Sequence, residues 1–296
     1  MKPTTFDYYV PTNVDEALTY LAELGNYGKV LAGGQSLIPA MNFRMSRPSA
    51  LVDLNNIPEL QYILPDGEGG LKIGTMTRDS VVEYDERVKK AFPLITEAMP
   101  YIAHAQIRNR GTFGGAIAHA DPAGQLPAIV LTLNASMKIN KKGQQRTVKA
   151  DDFFFGAFST ALEPDEMLIE VLLPGLPEGS ACSYQQLSRQ RGGYAQAAAA
   201  VLVILGEDGL CKDVRLTLLS VADVPVLSKE AKKILVGQKP TQDAFNAVSE
   251  AASKSEIDPG SDVHATANYR RHLTKIMIVR SLNKAFSRAA DARRQM

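Results

Sequence analysis

The chain has 296 residues, enough for roughly two domains at about 150 residues each and for a substantial core. Lys and Arg number 33 against 32 Asp and Glu, so a formal charge of +1 advertises neither nucleic acid nor an anionic membrane as a partner. With 45% hydrophobic and 22% charged residues the composition is that of a globular protein, and the longest apolar run, Ala197 to Leu205, is nine residues, about half of what a bilayer-spanning helix needs.

Met1 to Tyr9 carries one lysine but no apolar stretch and no small-residue cleavage site, so the sequence reads as cytoplasmic. From Val14 to Leu24 apolar residues recur at helical spacing after Asn13, a competent N-cap, and stop at Gly25. The run Val30-Leu31-Ala32 then meets Gly33-Gly34. A helical turn opens at Ser36 and a strand follows at Leu51 to Leu54. Strand, glycine turn, helix and strand suggest a small parallel unit with the turn at the carboxyl end of a strand, where such folds bind ligands.

Leu71 to Thr77 alternates as a strand, and Ser80 to Ala103 reads as helix broken at Pro93. A second glycine turn runs from Arg108 to His119, followed by an apolar segment to Leu133 and a hairpin around Lys141 to Gly143. The cluster Pro174 to Gly179 reads as a linker. Beyond it, Ala181–Ser188, Gln196–Leu205 and Leu210–Ser220 are expected strands, the last two joined by Glu207-Asp208-Gly209. A final helix is expected to bury the stripe Tyr269, Leu273, Ile276, Val279, Leu282 and Phe286.

The two cysteines, Cys182 and Cys211, stand 29 positions apart and form no redox or zinc pair; two thiols also fall short of an iron-sulfur ligand set. The histidines are scattered. That leaves the glycine pairs Gly33-Gly34 and Gly114-Gly115, each with a neighbouring hydroxyl at Ser36 or Thr112. Glycine permits positive φ and close approach, and successive amides make a nest for a diphosphate without needing excess cations. Neither segment is GxGxxG or GxxxxGK[ST], which removes the usual support for NAD binding or nucleotide triphosphate hydrolysis. Glycine as plain turn chemistry remains the alternative for each pair. Arg108 and Arg110 are read either as phosphate or partner contacts or as a solvated basic turn, and His104 as capping a helix that ends near Ala103.

The stretches Ala32-Gly33-Gly34-Gln35-Ser36-Leu37-Ile38-Pro39, Asn42 to Pro48, Gln106 to Gly115 and His119-Ala120-Asp121-Pro122 resemble the FAD-binding medium subunit of bacterial molybdenum hydroxylases. This is the carbon monoxide dehydrogenase and xanthine dehydrogenase family, and the likeness is near to subunits of N-heterocycle and nicotine-metabolite dehydrogenases. It covers nearly the whole chain, including Ser188 to Ala195. The fold it implies is α+β: a PCMH-type FAD-binding fold over residues 1–177, with two α/β subdomains at about 1–57 and 58–177. A C-terminal domain of antiparallel sheet and helices follows over 178–288, with a frayed tail at 289–296.

The resemblance implies non-covalent FAD held by Leu31, Ala32, Gly33, Gly34, Gln35 and Ser36 from the first turn, and by Thr112, Gly114, Gly115 and Ala116 from the second. Ile102 is expected beside the ring or adenine, His119 just past the second turn, and Leu168, Gln185 and Tyr194 beside the flavin. Gln125 stands where the family usually has an acid that binds a sugar hydroxyl; its amide oxygen keeps the acceptor role at lower strength. Gln35 stands where some relatives have histidine. No catalytic residue and no metal ligand is assigned to this chain.

The same resemblance implies two partners, a small subunit with 2Fe-2S clusters and a large molybdopterin subunit, in a dimer of heterotrimers. This chain would be the electron outlet, with an N-heteroaromatic compound as the leading substrate class. A free-standing FAD oxidoreductase and a cofactor-free assembly protein are the alternatives. The first would want a larger substrate domain, the second damaged glycine turns.

Overall fold

The computed structural model describes residues 1–294. β1 (Asp7–Tyr9), β2 (Gly28–Leu31) and β3 (Ala50–Asp53) form a parallel sheet of order β1-β3-β2. α1 (Val14–Leu24) packs on it through Ala17, Leu18 and Leu21 and has the ends its sequence predicts. The Asn13 side chain accepts from the Glu16 amide at 2.9 Å, and Gly25 ends the helix at φ +51°. α2 (Leu37–Asn42) connects β2 to β3, so the first glycine turn lies beyond the carboxyl end of a parallel strand. The strand β1 has no counterpart in the sequence reading; it is three residues long and largely exposed.

The middle of the chain surrounds an antiparallel sheet of order β4-β5-β10-β6-β7. Its strands are β4 (Ile63–Pro65), β5 (Leu71–Gly74), β6 (Ser136–Lys141), β7 (Gln144–Lys149) and β10 (Met167–Leu173), with the hairpin β8 (Phe154–Gly156) and β9 (Ser159–Thr160) outside it. Helices α3 (Asp79–Tyr84), α4 (Glu86–Ala91), α5 (Pro93–Ala98), α6 (Ala105–Arg108), α7 (Phe113–His119) and α8 (Gln125–Thr132) cover the sheet. The helical stretch expected from Ser80 is also broken at Asp85, whose carboxylate accepts from the amides of Arg87 and Val88 and starts a new helix. His104 sits at the N-cap position of α6 and does not close a preceding helix.

The last part is the expected antiparallel sheet followed by helices. β11 (Ser180–Ser188), β12 (Ala195–Leu205), β13 (Cys211–Leu219) and β14 (Val226–Leu227) lie in that order, with α9 (Lys229–Leu235), α10 (Gln242–Ser255) and α11 (Ala267–Arg294) after them. The apolar run of β12 is buried on both faces: Ala198, Ala200 and Leu202 enter the central core, while Ala197, Ala199, Val201 and Val203 enter the C-terminal one. Period-2 alternation sends one strand into two cores, which is why its sequence shows no polar face.

The buried stripe of α11 is Leu273, Met277, Ile278, Leu282, Ala285, Phe286 and Ala289; Tyr269, Ile276 and Val279 stand at its margin, because the helix meets both β12 and α10 and buries a broader, shifted face. Where fraying was expected from 289, the helix runs on to Arg294 with Ala289 buried, and 295–296 lie outside the described residues. Glu97 on α5 pairs with Lys284 and, at 2.7 Å, with Arg288 of α11, and Arg215 of β13 donates to the Leu131 and Thr132 carbonyls of α8. These contacts fix α11 and the C-terminal sheet against helices on either side of the second glycine turn.

Candidate cofactor site

The two glycine turns meet. A Cβ added to Gly33 would lie 2.3 Å from the Arg110 carbonyl oxygen and 2.8 Å from Gly111 Cα, and one added to Gly115 would lie 3.2 Å from Ala32 Cβ. Glycine at 33 and 115 is therefore what lets the backbones approach. At their junction is a cleft of about 410 Å³, lined by Leu31, Ala32, Gly33, Gly34, Gln35, Ile38 and Pro39 from the first turn and by Arg110 from the second. Gly34 holds φ +73°. Among the described residues, no protein acceptor engages the amides of Gly33, Gly34, Gln35 or Ser36, and Ser36 occupies the N-cap of α2 without a capping bond, which leaves its hydroxyl free.

The second turn contributes differently from the first. Thr112 caps α7, its hydroxyl accepting from the Gly115 amide at 3.1 Å, while the Ala116 amide donates to the Thr112 carbonyl and the Gly114 amide to the Thr75 carbonyl, each at 3.0 Å. The expected nest of amides at Gly114, Gly115 and Ala116 is thus already engaged, and the hydroxyl proton of Thr112 is the polar group left to donate. Gly114 is buried against Thr75 and is absent from the cleft lining. A Cβ there would fall 1.7 Å from Thr75 Oγ1 and 2.6 Å from Thr75 Cα, so this glycine serves the packing of α7 on the end of β5.

A polar network along the cleft, with Tyr8, Asp53 and Asn55 in its lining, was not legible beforehand. Tyr8 donates to the Asp53 carboxylate, Asn55 donates to Asp53 and, at 2.9 Å, to the Ala32 carbonyl, and Arg78 donates to Asn55 Oδ1 at 2.7 Å and to the Arg110 carbonyl at 2.6 Å. Arg78 therefore spans from the scaffold of one turn to the backbone of the other. The available signal was Asp53 and Asn55 placed just past a strand, at the carboxyl edge of the parallel sheet. Arg108 is neither solvated nor free for phosphate: it is buried, bonded to Glu83 at 2.7 Å and to the Ile102 carbonyl at 2.9 Å. Arg110 is exposed on the cleft.

The other expected residues fall into separate groups. His119 is half-buried with its ring 5.0 Å from Phe158, and burial holds its pKa below the usual imidazole value, with Asp121 opposing and Lys29 adding to the shift. Tyr194 is 72% exposed, with Asp121 bearing on its hydroxyl. Gln125 is buried, its amide donating to Gln186 Oε1 at 3.0 Å and to the Tyr101 carbonyl at 3.4 Å, while its own Oε1 accepts from no protein donor. Ile102, next to Tyr101, is partly buried against the central core, and its carbonyl accepts from Arg108. Gln185 points its amide at the Tyr184 carbonyl; its neighbour Gln186, on the other face of β11, is the one that meets Gln125. Leu168 is 3% exposed within the central core and lines no part of the cleft.

Among the described residues no group of three His, Cys, Asp or Glu could hold a metal ion, and both cysteines are buried and unpaired. No helix among those residues is long and apolar enough to cross a membrane. Free amides, a spare hydroxyl and one arginine around a glycine-lined cleft fit the diphosphate bridge of a dinucleotide.

The α+β fold and this cleft are those of a dinucleotide-binding protein, and similarity to known proteins shows of which kind. Residues 4–176 match the family model described as the FAD binding domain in molybdopterin dehydrogenase, and residues 182–285 match the CO dehydrogenase flavoprotein C-terminal domain. The chain belongs to this family of FAD-binding medium subunits of molybdenum hydroxylases. It is 38% identical to the 6-hydroxypseudooxynicotine dehydrogenase complex subunit alpha of Paenarthrobacter nicotinovorans, over 100% of this chain and 99% of the relative. It is also 38% identical to the caffeine dehydrogenase subunit beta of Pseudomonas sp. strain CBB1, over 98% and 97%. Among solved structures, carbon monoxide dehydrogenase from Hydrogenophaga pseudoflava superposes with a TM-score of 0.94 at 36% identity, covering 97% of this chain and 99% of that one.

Proposed function

We propose that this chain is the electron outlet of a three-subunit molybdenum hydroxylase. Substrate is oxidised at a molybdenum cofactor in a large partner, and electrons leave through 2Fe-2S clusters in a small partner. Bound here without a covalent link, FAD would supply redox chemistry that side chains lack, accepting electrons singly or in pairs for delivery to an external acceptor. The observation that carries the reading is the contact between the two glycine turns across a cleft with unengaged amides at Gly33 to Ser36.

In this reading Leu31 to Ser36 and the Thr112 hydroxyl hold the diphosphate, and Gly115 and Ala116 shape its far wall. Gln125, through its free Oε1, takes a sugar hydroxyl. Ile102, His119, Gln185 and Tyr194 flank the ring systems, while Leu168 stays in the central core. Residues 1–177, with subdomains meeting near 57, form the cofactor-binding domain and 178–288 the domain that closes over it. The complex is a cytoplasmic dimer of heterotrimers. An N-heteroaromatic substrate is supported by the relatives named for caffeine and for a nicotine metabolite.

The test is purification of the chain together with its partner subunits. Substrate should bleach the flavin of the whole complex under anaerobic conditions and leave that of the isolated, FAD-loaded chain oxidised. Turnover of an organic substrate by the isolated chain would overturn the proposal.

A further inference from the structure

Asp79 opens α3 beneath the second glycine turn, where no conventional role accounts for it. It is 3% exposed, and its amide donates to the Gly111 carbonyl at 3.0 Å. A Cβ on Gly111 would lie 2.3 Å from Asp79 Oδ2, so the carboxyl is packed against the backbone of the turn itself. Its Oδ1 is buried with no hydrogen-bond partner. The nearby cations are bonded elsewhere: Arg108 on α6 to Glu83, and Arg78, the residue before, to Asn55 and the Arg110 carbonyl. Glu83 on the same helix adds a like charge, and the exposed Arg110 lines the cleft. Burial raises the acid to about pH 7, against the pull of Arg108 and Arg78 and with the push of Glu83.

We propose that Asp79 is a positioning residue that supports the Gly111–Gly115 turn as a neutral acid, and that binding of the diphosphate cofactor is coupled to retention of its proton. The proposal rests on the reading that FAD lies between the two turns. A bound diphosphate adds negative charge beside the turn, which disfavours the carboxylate and raises its pKa further in the complex. By linkage, affinity is full below the pKa of the free protein. It falls as pH rises through that value and levels off above the pKa of the complex, by up to about tenfold for each unit between the two.

The experiment is titration of the apo chain with FAD, followed by flavin fluorescence, between pH 6.0 and 8.5 in wild type and Asp79→Asn. Wild-type Kd should rise several-fold across the range, whereas Asp79→Asn, which keeps the shape and stays uncharged, should bind tightly with a flat profile. His119, held below its usual value in the free chain, is unchanged in Asp79→Asn, so its contribution is common to both profiles and the difference between them reports Asp79. Calorimetry in two buffers of different ionisation heat should also show fractional proton uptake with FAD near pH 7.5 in wild type and none in the variant, a readout that needs no turnover. A flat wild-type profile, or equal slopes in both proteins, overturns the proposal and leaves the FAD reading standing. No FAD binding at any pH overturns both.

Discussion

Gly33→Ala isolates the contact on which the site depends. The new Cβ would stand 2.3 Å from the Arg110 carbonyl oxygen and 2.8 Å from Gly111 Cα, both backbone atoms that no rotamer change can withdraw. An ordinary contact begins near 3.4 Å, so the turns must part by about 1.1 Å. Movement of that size breaks the alignment of an amide with a phosphate oxygen, and each charge-assisted bond lost costs about 1.5–3 kcal/mol, or roughly 10- to 150-fold in affinity. The rest of the chain feels only local overpacking, about 1–3 kcal/mol, or several degrees in Tm. FAD titration and thermal unfolding of the apo variant separate the two effects. A cooperatively folded Gly33→Ala protein that still binds FAD within twofold of wild type would refute the idea that the turns act together.

Gly114→Ala should behave differently, since its Cβ meets Thr75 and not the cleft: Tm of the apo protein should drop by several degrees, and the folded variant should still bind FAD below its transition. Arg108→Ala should leave the Glu83 carboxylate buried and unpaired, costing about 3–5 kcal/mol in urea unfolding, whereas Arg110→Ala should barely change stability. Burial pushes the thiols of Cys182 and Cys211 up to about 12 and about 11, so at pH 8 neither carries appreciable thiolate. Both should resist a disulfide reagent in the native protein and react promptly in denaturant; fast native reaction would contradict that burial.

Local signals carried much of the architecture. Asn13 and Gly25 bracket α1 because capping chemistry is short-ranged, and the turn at Glu207 to Gly209 announces itself between two apolar runs. The two glycine pairs were legible as a pair, but not their division of labour. That Gly114 serves Thr75, that Gly33 serves Arg110 and that Arg108 is taken by Glu83 are facts about residues distant in sequence, and no spacing encodes them. The same holds for α11, whose buried face is set by β12 and α10, and for Gln186, which displaced Gln185 from the polar network because strand register decided which amide faces Gln125. Asp79 was invisible for a further reason: an aspartate opening a helix looks like ordinary helix-start chemistry until its burial is known.

FMN carries the flavin ring but lacks the diphosphate bridge and the adenosine half, so competition between FAD and FMN for the apo chain measures what the bridge and the adenosine together add. One FAD should bind per chain, released intact by acid, with FMN at least about 100-fold weaker, the equivalent of roughly 2.7 kcal/mol in contacts to the bridge and adenosine. FMN binding within tenfold of FAD would mean that the cleft between Gly33 and Arg110 does not hold the bridge.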